Sequence, residues 1–565
     1  MNVLLISEGS PGAALDIDAE LLADIASLED LTGVLMSMGM DAPSVPAEYF
    51  GEGRGGGCTH LLSDEAVRAF LTSAGAAPLR LCVLAPLHPW RPAADPSAPD
   101  GPLQSALAAV CPASSPAGQV ANASAFASRL AAIARHMSYY RDPALRAKAL
   151  ATIPVARLAF AAHAAAGAGP PPPAPPSALG AAFRLELLKG LLAWFKHEFF
   201  RWVDKPPCDA CGAPTASSGQ SALPTLEEVS TGGAGHVELY RCTSPACAHA
   251  TRFPRYNSPS KLLDTRRGRC GEWAGAFTAC ALALGFPARH VTDFSDHVWT
   301  EVQLHPAAPW THVDACEAAL DKPLLYEAGW NKSLSFIFAA GTDAFRDVTQ
   351  RYTAKWRAAV LPARAALGLP EPAIAALCCA VEAGQRLRDG RGLRLSGEEE
   401  AMRAAEEEAL RAGAAAAEAG AAKPDAGECV GRTTGSEEWR RERGEMGVAA
   451  AAGGGAGSGA GGCAASATPT SSVTASPAAS GAGALDMRAQ MAALFSLYTK
   501  GCGRGSGKCA SAHCACGPAG ATVPNAAAAK ALSVLSGGGG AAAIVAQCAD
   551  AAAGEAPPAS SSMGP

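Results

Sequence analysis

The sequence is short of aromatic side chains and has no large excess of charge of either sign. Aromatic residues make up 6% of its 565 residues, and the formal net charge is −6. Proteins that hold nucleic acid or a membrane surface by electrostatics concentrate positive charge on one face. A chain of mixed charge is therefore predicted to bind neither nucleic acid nor a membrane surface.

Long apolar runs are also missing. No stretch approaches the roughly 20 apolar residues that a membrane-spanning helix requires, and the opening "MNVLLISEGSPG" lacks the basic residues that begin a secretory signal. The 19 cysteines are an odd number, which is a poor basis for a disulfide framework. We therefore expect a cytoplasmic or nuclear protein without membrane insertion, whose cysteines serve thiol chemistry or bind metal.

Changes in composition divide the chain into segments. Alanine, 60 glycines and 42 prolines leave few large apolar side chains outside residues 183–356, too few to offset the entropy cost of ordering the chain. The string "PPPPAPP" predicts a stiff polyproline spacer before that aromatic region. The predicted segments are an N-terminal region of uncertain type (1–125), a helical and proline-rich linker (126–182), a folded core (183–356), a charged helical or loosely ordered segment (357–447), a disordered Ala/Gly/Ser linker (448–484), a small cysteine-containing module (485–550) and a disordered tail (551–565).

One cysteine in the core, in "RRGRCGEWAGAF", has the surroundings of a nucleophile. The pattern predicts a helix that begins at Cys270 and stops at Gly285, and a helix N-terminus or a cationic partner lowers the pKa of a thiol. His297 begins a predicted strand, and Asp314 lies on the next one. Cys, His, Asp is the order of papain-like and transglutaminase-like enzymes. From spacing alone, a structural cysteine beside a hydrogen-bonded core histidine and aspartate remains the alternative.

Two cysteine pairs, "CDAC" and "CTSPAC", lie about thirty residues apart in the same core. Four thiolates satisfy a tetrahedral zinc ion, and each pair forms a tight loop that supplies two ligands. A redox-active pair is disfavoured because no βαβ pattern surrounds it. The sequence therefore predicts a structural zinc site within 208–247, formed by Cys208, Cys211, Cys242 and Cys247.

The strings "RFPRYN", "GRCGEWA", "DHVWTEV" and "HVDACE" resemble the peptide:N-glycanase family, most nearly its plant members. The resemblance runs through residues 183–356. It implies an α+β fold, with a transglutaminase-like (papain-like) cysteine-nucleophile core, an inserted four-cysteine zinc subdomain and flanking low-complexity segments. It also implies a catalytic triad of Cys270, His297 and Asp314.

The same resemblance implies a reaction and a set of sugar contacts. The expected reaction is hydrolysis of the side-chain amide of a glycosylated asparagine, with an oxyanion held by the backbone N–H of Cys270 and an indole. For each tryptophan of the set, core packing is the alternative. The second cysteine pair encloses four residues where the family usually has two, so Cys247 is the least secure ligand, with His236 and His249 as substitutes. The expected glycan contacts are Trp299, Glu301, Trp310, Glu317 and Trp330.

The C-terminal module resembles the AZUL domain, a small helical zinc module, through "GCG", "HCAC" and "NAAAAKAL". Such modules are associated with proteasome docking, and a cysteine-bearing disordered tail is the alternative. The segment "GRTTGSEEWRRERGEMG" (431–447) is also similar to the plant enzymes, but the sequence assigns it no role. The second set of expected zinc ligands is Cys502, Cys509, Cys514 and Cys548, with Cys516 as a rival for the fourth position.

These observations predict an amidase that removes glycans from denatured or misfolded N-glycoproteins in ER-associated degradation. Its expected partners are these glycoproteins and the proteasome or ubiquitin-shuttle proteins, and its expected metal is structural Zn²⁺. A transglutaminase-type acyl transferase is the alternative enzyme, in which an amine replaces water. A catalytically inactive glycoprotein-binding adaptor is the alternative from another class.

Overall fold

The computed structural model describes eleven stretches of the chain, which fall in two units. The first unit comprises Met1–Pro99 and Leu130–Cys463, and the second comprises Asp100–Arg129 and Ala464–Pro565. The cysteines of the predicted tail module and the predicted Ala/Gly/Ser linker lie outside the described residues. The described residues are 1–6, 14–17, 22–23, 25–37, 48–73, 77–84, 101–110, 117–167, 176–305, 308–420 and 423–447.

The N-terminal residues form a five-stranded mixed sheet with two helices. The strand order is β2-β1-β5-β3-β4, and the central strands β1 and β5 run parallel. This is the β-grasp arrangement. One face of the sheet packs with the helices into a core that includes Val3, Leu31 and Tyr49. The elements are β1 Asn2–Ile6, β2 Ala14–Asp16, α1 Leu28–Ser37, β3 Glu48–Glu52, β4 Cys58–His60, α2 Asp64–Leu71 and β5 Arg80–Leu84.

A helical region follows the sheet. α6 packs against β3 and β5 and against α7, and the guanidinium of Arg80 lies 5.5 Å from the ring centroid of Phe160 on α6. α4 runs through the predicted boundary at residue 125, and α7 begins within the predicted proline-rich linker. The helices are α3 Gly101–Val110, α4 Ala117–His136, α5 Pro143–Thr152, α6 Val155–Ala166 and α7 Pro176–Trp194. Of the second unit, the structure describes α3 and the first part of α4.

The core is a six-stranded antiparallel sheet with one buried helix, α10, against it. The strand order is β14-β13-β12-β11-β15-β16, and α10 packs on β12 and β11. Nearly all residues of α10 are buried, and most of them have small side chains. The mixed α+β core confirms the predicted fold class. The elements are α10 Cys270–Ala283, β11 Ala288–Asp293, β12 His297–Gln303, β13 Trp310–Asp314, β14 Ala319–Leu320, β15 Ile337–Ala340 and β16 Phe345–Asp347. Before α10, β6 Arg201–Trp202 and β10 Arg267–Gly268 form a separate two-stranded parallel sheet.

A smaller three-stranded antiparallel sheet, in the order β7-β8-β9, is inserted before α10. It brings the two cysteine pairs together, because one pair precedes β7 and the other lies at the end of β8. The helix before β8 starts with a capping box between Thr225 and Glu228, as its sequence favours. The elements are β7 Thr215–Ala222, α8 Leu226–Gly232, β8 Val237–Cys242, β9 Ala250–Pro254 and α9 Pro259–Thr265.

Helices dominate the residues after the core sheet, and the last described stretch, 423–447, returns to the core. Within the described part of the chain, no single helix has both the length and the apolar composition needed to cross a membrane. Two pairs of helices reach that length and apolar composition only when the two members are counted together, and each pair is bent at its break. They are Pro143–Thr152 with Val155–Ala166, and Trp356–Ala366 with Glu371–Arg388. The helices are α11 Leu361–Ala366, α12 Glu371–Arg388, α13 Gly397–Glu418 and α14 Glu437–Glu442. Single turns of 3-10 or π type lie at Met137–Arg141, Phe195–Phe199, Leu325–Gly329, Thr349–Arg351 and Trp356–Val360.

Candidate active site

Cys270 is the first residue of α10, where the sequence places it. The preceding Arg269 has an extended backbone, and its N–H donates to the Glu272 carboxylate at 2.9 Å. Arg255 pairs with the same carboxylate through Nε at 2.6 Å, and Arg269 pairs with Glu238 at 2.8 Å. These ion pairs fix the first turn of the helix. They hold the half-buried Cys270 at the positive end of the helix dipole.

His297 and Asp314 meet at the ends of two neighbouring antiparallel strands, β12 and β13. Nε2 of His297 lies 2.7 Å from Oδ2 of Asp314, and both residues are 1% exposed. The same carboxylate accepts from the hydroxyl of Tyr326 at 3.1 Å and from the backbone N–H of Cys316 at 3.1 Å. Burial raises the pKa of the Asp314 carboxyl, but the charge and hydrogen bond of His297 outweigh burial and lower it. Asp314 is therefore ionised.

The thiol of Cys270 and the ring of His297 affect each other's charge. Burial raises the pKa of the thiol, yet the polar contact with His297, the charge of His297 and the charge of Arg432 bring it below its ordinary value. Burial lowers the pKa of His297, yet Asp314 and the thiol raise it above its ordinary value. Both shifts favour a thiolate beside an imidazolium.

The two ring nitrogens of His297 have separate roles. Nε2 is taken by Asp314, and Nδ1 is buried with no well-formed hydrogen bond to any atom the structure describes. Nδ1 is therefore the nitrogen left for the thiol. A contact looser than a full hydrogen bond is common at a catalytic pair without substrate.

Aromatic side chains surround the His297 ring. Its centroid lies 4.8 Å from that of Trp330, 5.2 Å from Tyr326 and 5.7 Å from Trp299. Trp299 and Trp330 are each 1% exposed, and the indole of Trp299 donates to the Tyr352 hydroxyl at 2.8 Å. Neither tryptophan presents a face to solvent. Their contacts are those expected of core packing, the alternative to sugar binding, and they pack around the imidazole.

The other three predicted glycan contacts lie behind or beside the site. Glu301 is fully buried and accepts from Nε of Arg289 and from the Tyr352 hydroxyl, each at 2.6 Å. The Arg289 guanidinium lies 3.9 Å from the ring centroid of Trp310, which is partly exposed. The side chain of Glu317 is 4% exposed. The structure thus brings Cys270, His297 and Asp314 together. It does not arrange the five predicted glycan contacts as one accessible sugar-binding face.

Two residues beside Cys270, His297 and Asp314 were not singled out from the sequence. Arg432 approaches the site from the last described stretch, and its charge acts on Cys270 and His297. The Cys316 thiol lies 3.0 Å from Oδ1 of Asp314. The only sequence signals were the similarity of 431–447 to the plant enzymes and the string "HVDACE", and neither assigned a role.

The four cysteines of the inserted sheet form one cluster. Their sulfur atoms all lie within 4.8 Å of one another, with Cys208 to Cys247 at 3.8 Å and Cys211 to Cys242 at 3.5 Å. Tetrahedral ligation with metal–sulfur bonds of about 2.3 Å requires sulfur atoms roughly 3.8 Å apart. The cluster could therefore hold a metal ion. The longer second loop still delivers Cys247.

Neither substitute histidine belongs to this cluster. Nε2 of His236 lies 3.9 Å from a Glu238 oxygen, and His249 pairs with Asp209.

Comparison with known proteins finds a superfamily match within the core. Residues 224–315 match the Transglutaminase-like superfamily. The chain is 48% identical over 221 residues to peptide-N(4)-(N-acetyl-beta-glucosaminyl)asparagine amidase of Mus musculus, which covers 39% of this chain and 33% of the relative. It is 42% identical over 231 residues to the protein of that name from Arabidopsis thaliana, which covers 41% of this chain and 31% of the relative. The chain is thus a homologue of these amidases with a transglutaminase-like core.

The extent of these matches is limited. The chain spans about a third of the length of the mouse and Arabidopsis relatives. Among solved structures, Rad4–Rad23 crosslinked to an undamaged DNA aligns with a TM-score of 0.34 and 13% identity, over 53% of this chain and 59% of that one. A TM-score this low carries no structural or functional inference.

Proposed function

We propose that this chain is a peptide:N-glycanase, an amidohydrolase that cleaves the bond between an N-linked glycan and its asparagine. The observation that carries the proposal is the buried His297–Asp314 pair, 2.7 Å between Nε2 and Oδ2, beside a cysteine at the start of a buried helix. The 48% identity to a mouse protein named as such an amidase gives the reaction class.

The reaction proceeds in two steps. The Cys270 thiolate attacks the side-chain carbonyl carbon of the glycosylated asparagine, and imidazolium His297 gives its proton to the departing glycosylamine nitrogen. A thioester then joins Cys270 to the peptide. Water attacks that carbonyl while His297 takes its proton, and the thiolate leaves, so the peptide retains an aspartate. Asp314 stays ionised throughout and orients the ring.

The tetrahedral intermediate needs donors for its oxyanion. The backbone N–H of Cys270, at the first position of α10, has no partner within that helix. Trp330 is the indole we propose as the second donor, because its Nε1 is buried and, within the described residues, has no hydrogen-bond partner. Its ring also borders His297 at 4.8 Å. Trp202, in contrast, donates its Nε1 to Asp204 at 2.7 Å.

Denatured, N-glycosylated ribonuclease is the substrate that tests this reaction. The full chain should release free glycan, and the peptide should gain about one mass unit because asparagine becomes aspartate. Cys270→Ala should abolish release, whereas Cys280→Ala, which removes a buried thiol from the same helix, should retain it. Release by Cys270→Ala would contradict the mechanism.

The same reaction mixture tests the alternatives. A lysine crosslink in place of free glycan would indicate the transglutaminase-type acyl transferase. Glycoprotein binding without turnover would indicate the inactive adaptor.

Zinc is the metal we propose for the four-cysteine cluster, since four thiolates in tetrahedral geometry are typical of structural zinc. Cys208, Cys211, Cys242 and Cys247 would hold it, and its charge would stabilise four neighbouring thiolates while tying β7, β8 and β9 together. Metal analysis of the full chain should find zinc, and Cys211→Ser should lower both zinc content and melting temperature. A metal-free chain of unchanged melting temperature would contradict this assignment.

Denatured or misfolded N-glycoproteins in the cytoplasm, on the route of ER-associated degradation, are the substrates this reaction fits. Among the five residues expected to contact sugar, we retain Trp310 for direct contact because it is partly exposed. Trp299, Glu301 and the nearly buried Glu317 would then support the site from behind, and Trp330 would donate to the oxyanion and make no sugar contact. The second zinc module and its docking to the proteasome or a ubiquitin-shuttle protein stay predictions, since their cysteines lie outside the described residues.

A further inference from the structure

We propose that Arg432 is a positioning residue of the active site, brought to the nucleophile by a strap that consists of residues 423–447. The inference rests on the proposed role of Cys270 as nucleophile. The strap follows the core sheet and its helices in sequence, yet it returns to the side of the core where Cys270, His297 and Trp330 lie.

The strap is fastened to the core at several places. The Glu428 carboxylate accepts from the backbone N–H of Leu324 at 2.8 Å. The Glu317 carboxylate, three residues after Asp314, accepts from the backbone N–H of Thr433 at 2.7 Å and of Thr434 at 3.2 Å. These bonds use both oxygens of Glu317. They explain why this glutamate is nearly buried and assign it to holding the strap.

The far end of the strap is fastened beside the catalytic histidine. Arg443 pairs with Asp296, the residue before His297, at 2.9 Å. The strap also folds on itself, with Val430 bridged to Gly447. The backbone N–H of Arg432 donates to the Glu445 carbonyl at 2.8 Å. Arg432 therefore has a fixed backbone.

The Arg432 guanidinium is buried in a cage of indoles. Its carbon lies 4.6 Å from the ring centroid of Trp439, 4.7 Å from Trp330 and 5.4 Å from Trp202. Nη1 pairs with Glu445 at 2.9 Å, while Nη2 is buried and has no hydrogen-bond partner in the described part of the chain. A buried cation with an unused donor is costly. The cation–π contacts recover part of that cost.

The cage places this cation against the catalytic ring. The Trp330 ring centroid lies 4.7 Å from the Arg432 guanidinium carbon and 4.8 Å from the His297 ring centroid, so both side chains contact the same indole. A cation there favours the thiolate of Cys270 and disfavours the imidazolium of His297, and both pKa values are lowered by Arg432. The charge of Asp296 raises the pKa of Cys270 and so opposes the effect of Arg432 on the thiol. The charge of Asp314 raises the pKa of His297 and so opposes the effect of Arg432 on the imidazole.

The pH dependence of Cys270 alkylation tests the proposal. Wild-type full chain and the Arg432→Met variant are treated with iodoacetamide across pH 4–9, and modification of Cys270 is measured by mass spectrometry. Loss of the cation should move the onset of reactivity to higher pH. At a pH below the wild-type midpoint the alkylation rate should fall about 3- to 10-fold, as expected for one partly compensated charge nearby. An unchanged pH dependence would overturn the proposal.

Matched variants separate charge from packing. Arg441→Gln removes a cation from the exposed face of α14 in the same strap and should leave the profile unchanged. Arg432→Lys keeps the charge and should restore the onset toward that of the wild type. A lysine variant that behaves like the methionine variant would assign Arg432 to packing alone and overturn the proposal. Should Arg432→Met unfold, Arg432→Gln, which also removes the cation but keeps a polar side chain beside Glu445, is read in the same way.

Two readouts distinguish this proposal from the proposed function. A wild-type chain that releases no glycan, while its Cys270 onset still depends on Arg432, would remove the amidase function and leave the positioning role. A wild-type chain that releases glycan, with an alkylation profile indifferent to Arg432, would leave the function and remove the positioning role.

Discussion

Replacing Asp314 by asparagine keeps the shape of the triad and removes one charge. The carboxylate lies 2.7 Å from the histidine nitrogen, and at an effective dielectric constant of ~20 two charges about 3 Å apart attract by about 5 kcal/mol. Part of this attraction offsets the desolvation of both groups. If about 3 to 5 kcal/mol acts on the imidazolium in the transition state, kcat/KM should fall about 10²- to 10⁴-fold.

The pH profile of Asp314→Asn adds a directional test. Asp314 holds the pKa of His297 above its ordinary value, so its removal should move the alkaline limb, where the imidazolium loses its proton, to lower pH. Glycan release from denatured ribonuclease, followed across pH, measures both effects. Asp347→Asn is the matched control, because that carboxylate lies on the same sheet and pairs with Arg364. Activity within about tenfold of wild type, with an unmoved alkaline limb, would refute the assigned role.

Two further predictions concern the strap and the stability of the core. A Cβ at Gly431 would lie 2.3 Å from backbone atoms of Met446, so Gly431→Ala should release the strap and lower glycan release while circular dichroism shows the core still folded; full activity would contradict this. Burial lowers the pKa of His136 to about 4 and of His290 to about 3, so the unfolded chain binds these protons first as pH falls, and the urea midpoint should decline from about pH 6.5 toward pH 4. Replacing both histidines by glutamine should flatten that decline, and an equally steep decline would contradict the assignment.

Local signals were enough to predict the elements that carry the triad. The helix predicted from Cys270, with its stop at Gly285, corresponds to Cys270–Ala283, because small apolar residues and a terminating glycine mark a buried helix within the sequence itself. Strand alternation in the same way placed His297 and Asp314 on neighbouring strands. The paired cysteine loops predicted the cluster, because ligand spacing is also a local property.

The surroundings of the triad could not be predicted in this way. Whether Trp330 faces sugar or packs on an imidazole depends on what covers it, and its cover comes from a segment about a hundred residues later. The strap has weak periodicity, and its bonds to Glu317 are tertiary, so no window of sequence contains both partners. Sequence similarity drew attention to 431–447 but gave no contact. The β-grasp sheet was missed because its strands are short and its β1–β5 pairing is distant in sequence.

The packing of α6 on the N-terminal sheet bears on how the protein can be shortened. Phe50 and Cys82, on β3 and β5, are 2% and 0% exposed, and Arg146 on α5 pairs with Glu48 at 2.6 Å. α5 in turn packs against α10, the helix that begins with Cys270. A chain trimmed to begin after residue 84 would expose the apolar face of α6 to solvent. It would also remove the Glu48 contact of α5, the helix that packs against α10. Residues 1–84 therefore support, through α5, the helix that begins with Cys270.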